Sequence, residues 1–191
     1  TTATEDAAYT YTVTASDADG DTLTMAGTTV PSWLSFNAAT GVLSGTPANA
    51  NVGTSGNAVV ITVSDGNNGA VTDSFTITVT NTNDAPTVAN AISDASTNED
   101  AAYSLSISNV FTDVDSGDSC TYSMSGAPST ITLSSGTISG TPVNADVGTH
   151  TIVVTCTDGS SASVSDSYVL TVVNTNDAPT VANPISDATT A

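Results

Sequence analysis

The sequence predicts an all-β protein of two tandem β-sandwiches with about seven short strands each, and three observations predict it. First, the chain is written twice. Glu5-Asp6-Ala7-Ala8-Tyr9 returns 94 residues later as Glu99-Asp100-Ala101-Ala102-Tyr103, and the opening Thr1-Thr2-Ala3 returns as the closing Thr189-Thr190-Ala191. Second, apolar and polar residues alternate with a period of two, the spacing at which one strand face packs inward while Thr and Ser meet water on the other. Third, Gly, Asn and Asp turn pairs interrupt those runs at short intervals.

In the first unit the alternation runs through Tyr9-Thr10-Tyr11-Thr12-Val13-Thr14, Val59 to Val63 and Phe75 to Thr80, with turn signals at Asp19-Gly20, Thr40-Gly41, Asp65-Gly66 and Asn67-Asn68-Gly69. The second unit answers with Tyr103 to Ile107, Ile152 to Cys156 and Tyr168 to Val172, and with turns at Ser116-Gly117, Ser135-Gly136 and Asp158-Gly159. These read as half-buried antiparallel strands, and the Thr, Ser, Val and Gly content leaves almost no room for helix. Both units carry a Gly-x-(Leu/Ile)-Ser-Gly-Thr-Pro-x-Asn-Ala-x-Val-Gly-Thr string, Gly41 to Thr54 and Gly136 to Thr149. Its Gly, Pro and Asn suit a hairpin followed by a corner, so it reads as architecture.

Composition narrows the function. The 191 residues give two domains of a size that barely buries a core. Lys and Arg are absent against 19 acidic residues, so only the amino terminus and His150 offer positive charge. Nucleic acid is excluded as a partner, because phosphate binding needs cations that displace counterions, and an anionic membrane surface would repel the chain. No run approaches the roughly 18 apolar residues of a membrane span, which excludes direct insertion by a helix. The amino terminus carries no basic, hydrophobic leader, and an internal piece of a mature protein is the expectation. Metal cations are the partner this charge invites, although the same acidity also serves solubility alone.

The repeated string, with Asp-x-Asp-(Ser)-Gly-Asp, the strand ends Val-Ser-Asp-Gly and Cys-Thr-Asp-Gly, and Asn-Thr-Asn-Asp-Ala-Pro at each boundary, resembles the bacterial cadherin-like repeats of the dystroglycan type. The resemblance covers the chain twice and implies Ig-like or cadherin-like Greek-key sandwiches of the kind found in secreted adhesins, surface proteins and accessory regions of secreted glycosidases. That family's module opens just after Asn-Asp-Ala-Pro with a strand like Ala85 to Thr97. The resemblance thus divides the chain into 1–84, a sandwich lacking its own first strand; 85–177, a second sandwich; and 178–191, the first strand of a following repeat or a donor strand for a neighbouring subunit. A continuous array cut out of phase and a head-to-tail filament built by strand donation both account for that phasing.

The acidic residues are gathered. Asp17, Asp19 and Asp21 crowd one turn and Asp65 ends a later strand; Asp113, Asp115, Asp118 and Asp158 repeat the pattern. Crowded carboxylates repel one another unless a hard, oxygen-seeking cation such as Ca2+ is bound. By resemblance to cadherins, one complete calcium junction is implied from Glu5, Asn83, Asp84, Asp113, Asp115 and Asp158. Asp17, Asp19 and Asp65 would serve a preceding unit, and Glu99, Asn176 and Asp177 a following one. The Leu-Asp-Arg-Glu segment of cadherins is replaced by the Ser-Gly-Thr-Pro string, and the linker lacks their extra Asn, so fewer ions are expected than in a cadherin junction. The alternative is that these are solvated aspartates closing their own turns. An EF-hand fails: Thr22 and Thr28 stand where that loop requires Gly and Glu.

Cys120 and Cys156 align with Leu23 and Val63, and read either as two small buried side chains or as a cross-strand disulfide, the bond being favoured in an extracellular chain. His150 reads as a surface residue at a strand end and Trp33 as core. The expectation is a non-enzymatic structural repeat of an extracellular bacterial surface protein, an adhesin stalk or filament stiffened by calcium. Its partners are neighbouring repeats or identical subunits head to tail, with an unknown surface or glycan ligand. The competing class is an accessory carbohydrate- or ligand-binding module of a secreted hydrolase. Repeated aspartates without an aromatic-lined cleft do not make a glycosidase.

Overall fold

The computed structural model describes residues 1–183, so the part of the closing segment from residue 184 on lies outside the described residues. The chain divides into two compact units, one of Thr1–Asp84 with the loop Val114–Gly117, the other of Ala85–Asp113 and the chain from Asp118 onward.

The strands of the first unit are β1 (Thr2–Thr4), β2 (Tyr9–Thr12), β3 (Thr24–Thr29), β4 (Leu34–Asn37), β5 (Val42–Gly45), β6 (Ala58–Ser64), β7 (Ala70–Thr76) and β8 (Thr78–Thr80). They form antiparallel sheets in the orders β2-β5-β4 and β3-β6-β7, and β1 runs parallel to β8 with Ala3 opposite Val79. β6 shows why the sequence takes this form: Val59, Ile61 and Val63 are buried, while Thr62 between them turns outward and shares a hydrogen bond with Thr72 of β7. Leu34 and Leu43 from one sheet meet Val59 and Ile61 from the other, with Ile77, Val79 and Ala3 completing the core. A core drawn from two facing sheets is a sandwich, and each such aliphatic side chain contributes roughly 1.5–3 kcal/mol on burial.

In the second unit the strands are β9 (Thr87–Val88), β10 (Ala95–Asn98), β11 (Tyr103–Ser106), β12 (Phe111–Thr112), β13 (Thr121–Ser125), β14 (Ile131–Ser134), β15 (Thr137–Gly140), β16 (Gly148–Thr157) and β17 (Ser163–Val173). Their sheets are β10-β17-β16-β13, β11-β15-β14 and the pair β12-β9, and β10 is parallel to β17 as β1 is to β8. Ile107, Ile138, Ile152, Val154, Leu170 and Tyr168 fill this core. A disulfide joins Cys120 to Cys156, with 5.1 Å between their Cα atoms.

The shared string supplies the second strand of a hairpin and then a corner, a short 3-10 turn at Asn49–Asn51 and again at Asn144–Asp146. Its glycines have a steric reason: a Cβ on Gly45 would strike the carbonyl of Trp33, and one on Gly140 that of Thr130. After the corner, buried Asn57 accepts a hydrogen bond from Trp33 Nε1 at 2.9 Å and donates to the carbonyls of Asn51 and Gly53. Trp33 itself packs against the core edge. His150 holds the matching position in the second unit, half-buried, with Nε2 2.7 Å from the Asp146 carbonyl.

Candidate metal centre

Glu5 leaves β1 by donating its amide to the Thr80 carbonyl, one step beyond the β1–β8 ladder. Asp6 follows at φ 58°, a left-handed conformation that aspartate tolerates, and its amide donates to the Pro47 carbonyl. This bend carries the Glu5 carboxylate inside, where it is 2% exposed. Oε2 accepts the Thr82 amide at 3.1 Å, whereas Oε1 is buried without a hydrogen-bond partner. A carboxylate oxygen taken out of water and left unpaired costs several kcal/mol, and no Lys or Arg exists in the chain to offset it.

The second unit builds the same arrangement. Glu99 donates its amide to the Val173 carbonyl, Asp100 follows at φ 61° with its amide on the Pro142 carbonyl, and Glu99 is likewise 2% exposed. Its Oε1 accepts the Thr175 amide at 2.7 Å and its Oε2 has no partner.

Other carboxylates converge on these two. Asp115, 7% exposed, accepts the Asp84 amide on Oδ2 at 2.8 Å and the Asn49 side-chain amide on Oδ1 at 2.9 Å. Within the first unit, Glu5, Asp84 and Asp115 each bring a carboxylate oxygen within 4.8 Å of the others. Asn83 lies beside them, its side-chain amide on the Asp84 carbonyl at 2.8 Å. Glu99, Asp100 and Asp177 form an equivalent group in the second unit, where Asn176 donates to the Asp177 carbonyl and Asn144 approaches Asp177 Oδ2. Asp113, Asp115 and Asp118 form a third group within their own short loop.

Asp17, Asp21 and Asp65 form a fourth group, but Asp17 and Asp65 also close their own turns, and Asp21 Oδ2 accepts the Asn67 side-chain amide at 2.9 Å. Asp17 Oδ1 accepts the amides of Asp19 and Asp21, and Asp65 Oδ1 those of Asn67 and Gly69. Among the described residues, Asp19 and Asp158 belong to no three-carboxylate group. Asp158 closes the β16–β17 turn by accepting the amides of Ser160 and Ala162. Two contributors have no counterpart in the sequence reading, Asn49 and Asp100. Asn49 lies in the string read as architecture and recurs as Asn144; Asp100 adjoins Glu99 in the repeated Glu-Asp pair.

The donor set is all oxygen and strongly anionic, which suits a hard divalent cation such as Ca2+ and does not suit zinc or a redox metal. Residues of this kind, on tandem all-β sandwiches with a parallel first strand, define the class of Ig-like and cadherin-like repeats. The chain belongs to the family described as "Putative Ig domain", whose model matches residues 1–80 and 85–173. It is 36% identical over 159 residues to a protein named serine-rich adhesin for platelets from Staphylococcus aureus strain MRSA252, covering 82% of this chain and 11% of that protein. The protein of the same name from strain MW2 matches at the same identity over 6% of its length, so the chain spans only a small part of these relatives. Among solved structures, human protocadherin-24 EC1-2 superimposes with a TM-score of 0.57 at 22% identity over 88% of each chain. Mouse cadherin-23 EC22-24 gives 0.55 at 15% identity over 80% of this chain and 53% of its own. At these identities the two structures bear on fold alone.

Proposed function

We propose that this chain is a pair of structural repeats from an extracellular bacterial surface protein of the adhesin kind, stiffened by calcium where Glu5, Asp84 and Asp115 meet. The observation that supports it is Glu5 Oε1, buried and without a hydrogen-bond partner beside two more carboxylates, in a chain with no Lys or Arg. A bound Ca2+ supplies the positive charge that offsets this convergence. Glu5, Asp84 and Asp115 would hold it, with Asn83 and Asp113 as further oxygen donors. The loop Val114–Gly117 lies within the sequence of the second repeat but belongs to the first compact unit, so an ion held through Asp115 would tie that loop to the first unit.

Glu99, Asp177 and Asn176 present the same donors to a following repeat, and Asp17, Asp19 and Asp65 to a preceding one, while Asp158 supports the second-repeat loops from its turn. The protein then works by reach and stiffness and not by catalysis. Its partners are neighbouring repeats, other copies joined end to end, and a cell-surface or glycan ligand carried elsewhere on the parent protein. The adhesin relatives support a location outside the cell at the bacterial surface. An accessory glycan-binding module would present a platform of exposed aromatics; among the described residues the large exposed hydrophobics are valines with one tyrosine, Tyr11.

The test is small-angle scattering and thermal melting of the full chain with calcium and with chelator. Calcium should extend the particle and raise the melting temperature. Curves that coincide in both conditions would remove the calcium mechanism and leave the fold assignment untouched.

A further inference from the structure

We propose that the turn between β6 and β7 modifies itself: the Gly69 amide nitrogen attacks the Asn68 side chain, closing a succinimide that water opens to an aspartate or isoaspartate at position 68. This goes beyond the calcium reading and does not rest on it. The chain has one asparagine followed by glycine, and this is it. Glycine in the second place matters because the attacking nitrogen then has no Cβ of its own residue to shield it. Asn68 is exposed and stands at φ 74°, a left-handed conformation that asparagine tolerates better than most residues. Asn67 before it is held, its side-chain amide on Asp21 Oδ2 at 2.9 Å.

The turn also brings a base to the nitrogen that must lose its proton. Asp65 Oδ1 accepts the Gly69 amide at 2.9 Å and the Asn67 amide at 2.7 Å, while the Asp65 amide donates to the Gly69 carbonyl at 3.2 Å. The carboxylate lies so close that a Cβ on Gly69 would strike it. A general base has to lie within hydrogen-bond reach of the proton it takes, and Asp65 Oδ1 lies there. As the Gly69 nitrogen bonds to Asn68 Cγ, its proton passes to Asp65; the Cγ–Nδ2 bond then breaks, and the same proton leaves with Nδ2 as ammonia. Solvent water opens the ring at either carbonyl. Attack at the side-chain carbon gives aspartate, and attack at the main-chain carbon gives isoaspartate, which lengthens the backbone of the turn by one carbon.

The second unit supplies the comparison. Its β16–β17 turn is closed in the same way, with Asp158 Oδ1 on the amides of Ser160 and Ala162 and the Asp158 amide on the Ala162 carbonyl at 3.0 Å. Ser161 stands at φ 75° where Asn68 stands at φ 74°. One backbone thus occurs twice, once as Asn68-Gly69 and once as Ser161-Ala162, so the turn does not need the reactive pair. The product changes its surroundings. Asp17, Asp21 and Asp65 already bring carboxylate oxygens within 4.8 Å of one another, and the reaction adds a further negative charge to the Asp65 turn. A slow gain of charge at this place records the age of the chain.

The experiment ages the full chain at mildly alkaline pH and follows intact mass and isoaspartate content, with fragmentation spectra to locate the change and far-UV circular dichroism to verify folding. Residue 68 should convert from amide to acid ahead of every other asparagine, with isoaspartate among the products. Asn68→Ser, which copies the second unit, should abolish that conversion and leave the melting temperature where it was. Asp65→Ser keeps a hydroxyl to accept the two amides but supplies no base, and should slow conversion about tenfold or more. The parent in denaturant controls for a loosened turn, since without the fold its rate should fall toward that of Asp65→Ser. No conversion at residue 68, or conversion spread evenly over the asparagines, would overturn the site. Conversion as fast in Asp65→Ser or in denaturant as in the folded parent would overturn the part given to Asp65, and with it the turn that modifies itself.

Discussion

Asp115 Oδ2 accepts the backbone amide of Asp84 at 2.8 Å, so a loop aspartate is fixed to the residue that ends the first repeat, with its second oxygen held by Asn49 at 2.9 Å. Two amide donors orient this carboxylate beside Glu5 and Asp84, and the three carboxylates bring oxygens within 4.8 Å of one another. Asp115→Ala should therefore weaken calcium binding by about tenfold or more, as expected when one anionic oxygen donor leaves a hard-cation site. Calorimetric titration of the full chain checks it. Equal affinity in the variant would place the ion elsewhere.

Glu5→Gln should change the sign of its effect with calcium. In chelator the substitution removes a buried, unpaired charge and should stabilise the first unit by roughly 1–3 kcal/mol. In calcium it removes a ligand and should destabilise relative to the parent, because an ion that binds only the folded state at a hundred times its dissociation constant contributes about 2.7 kcal/mol. Paired thermal melts in the two conditions decide this; the same sign in both would mean that Glu5 is not a ligand.

The fold was legible because it rests on short-range rules. Alternation places Val59, Ile61 and Val63 inward, and Gly45 and Gly140 stand where a side chain would strike the neighbouring strand. The clustering of acids was legible as well, since Asp17 with Asp21 and Asp113 with Asp115 are close in sequence. Their division of labour was not. Asp17, Asp65 and Asp158 accept amides two and four residues on, and a turn-closing aspartate and a metal ligand carry the same local signature. Asn49 meets Asp115 across 66 residues, a pairing that depends on tertiary placement and leaves no local mark.

Asn57→Ala should destabilise the first unit by roughly 2–4 kcal/mol, because it strands Trp33 Nε1 and the carbonyls of Asn51 and Gly53 around a residue that is 1% exposed. Denaturant unfolding followed by Trp33 fluorescence reports that unit alone, since Trp33 is the chain's one tryptophan. Asn57→His, copying the second unit's residue, should recover part of the loss by reaching the Asn51 carbonyl as His150 reaches that of Asp146.

Acid should loosen the corner of the second unit. The Asp146 carboxyl is held below its usual value of 3.8, first by the Val143 amide and next by the Thr130 hydroxyl. A depressed folded-state value means the ionised form binds these donors, so its contribution is present above the unfolded value and fades as pH falls through the folded one. The parent should thus lose stability below about pH 4 more steeply than Asp146→Asn. Parallel pH-dependent melts would refute this if the two profiles kept a constant offset.

Reducing the disulfide should separate the two units thermally. Cys120 and Cys156 close a loop of 36 residues inside the second unit, and Cys156 is fully buried against its core, while the first unit has Leu23 and Val63 at the matching positions and no cross-link. In the chain-entropy account a loop of that length contributes roughly 3 to 4 kcal/mol, because the cross-link restricts the unfolded chain more than the folded one. Reductant, or the double change Cys120→Ala with Cys156→Val, should lower the melting of the second unit by several degrees and leave the first where it was. The valine refills most of the buried volume, so the measured difference isolates the cross-link from the packing. Calorimetry with Trp33 fluorescence assigns the transitions, and a loss shared equally by both units would mean that they unfold as one cooperative body.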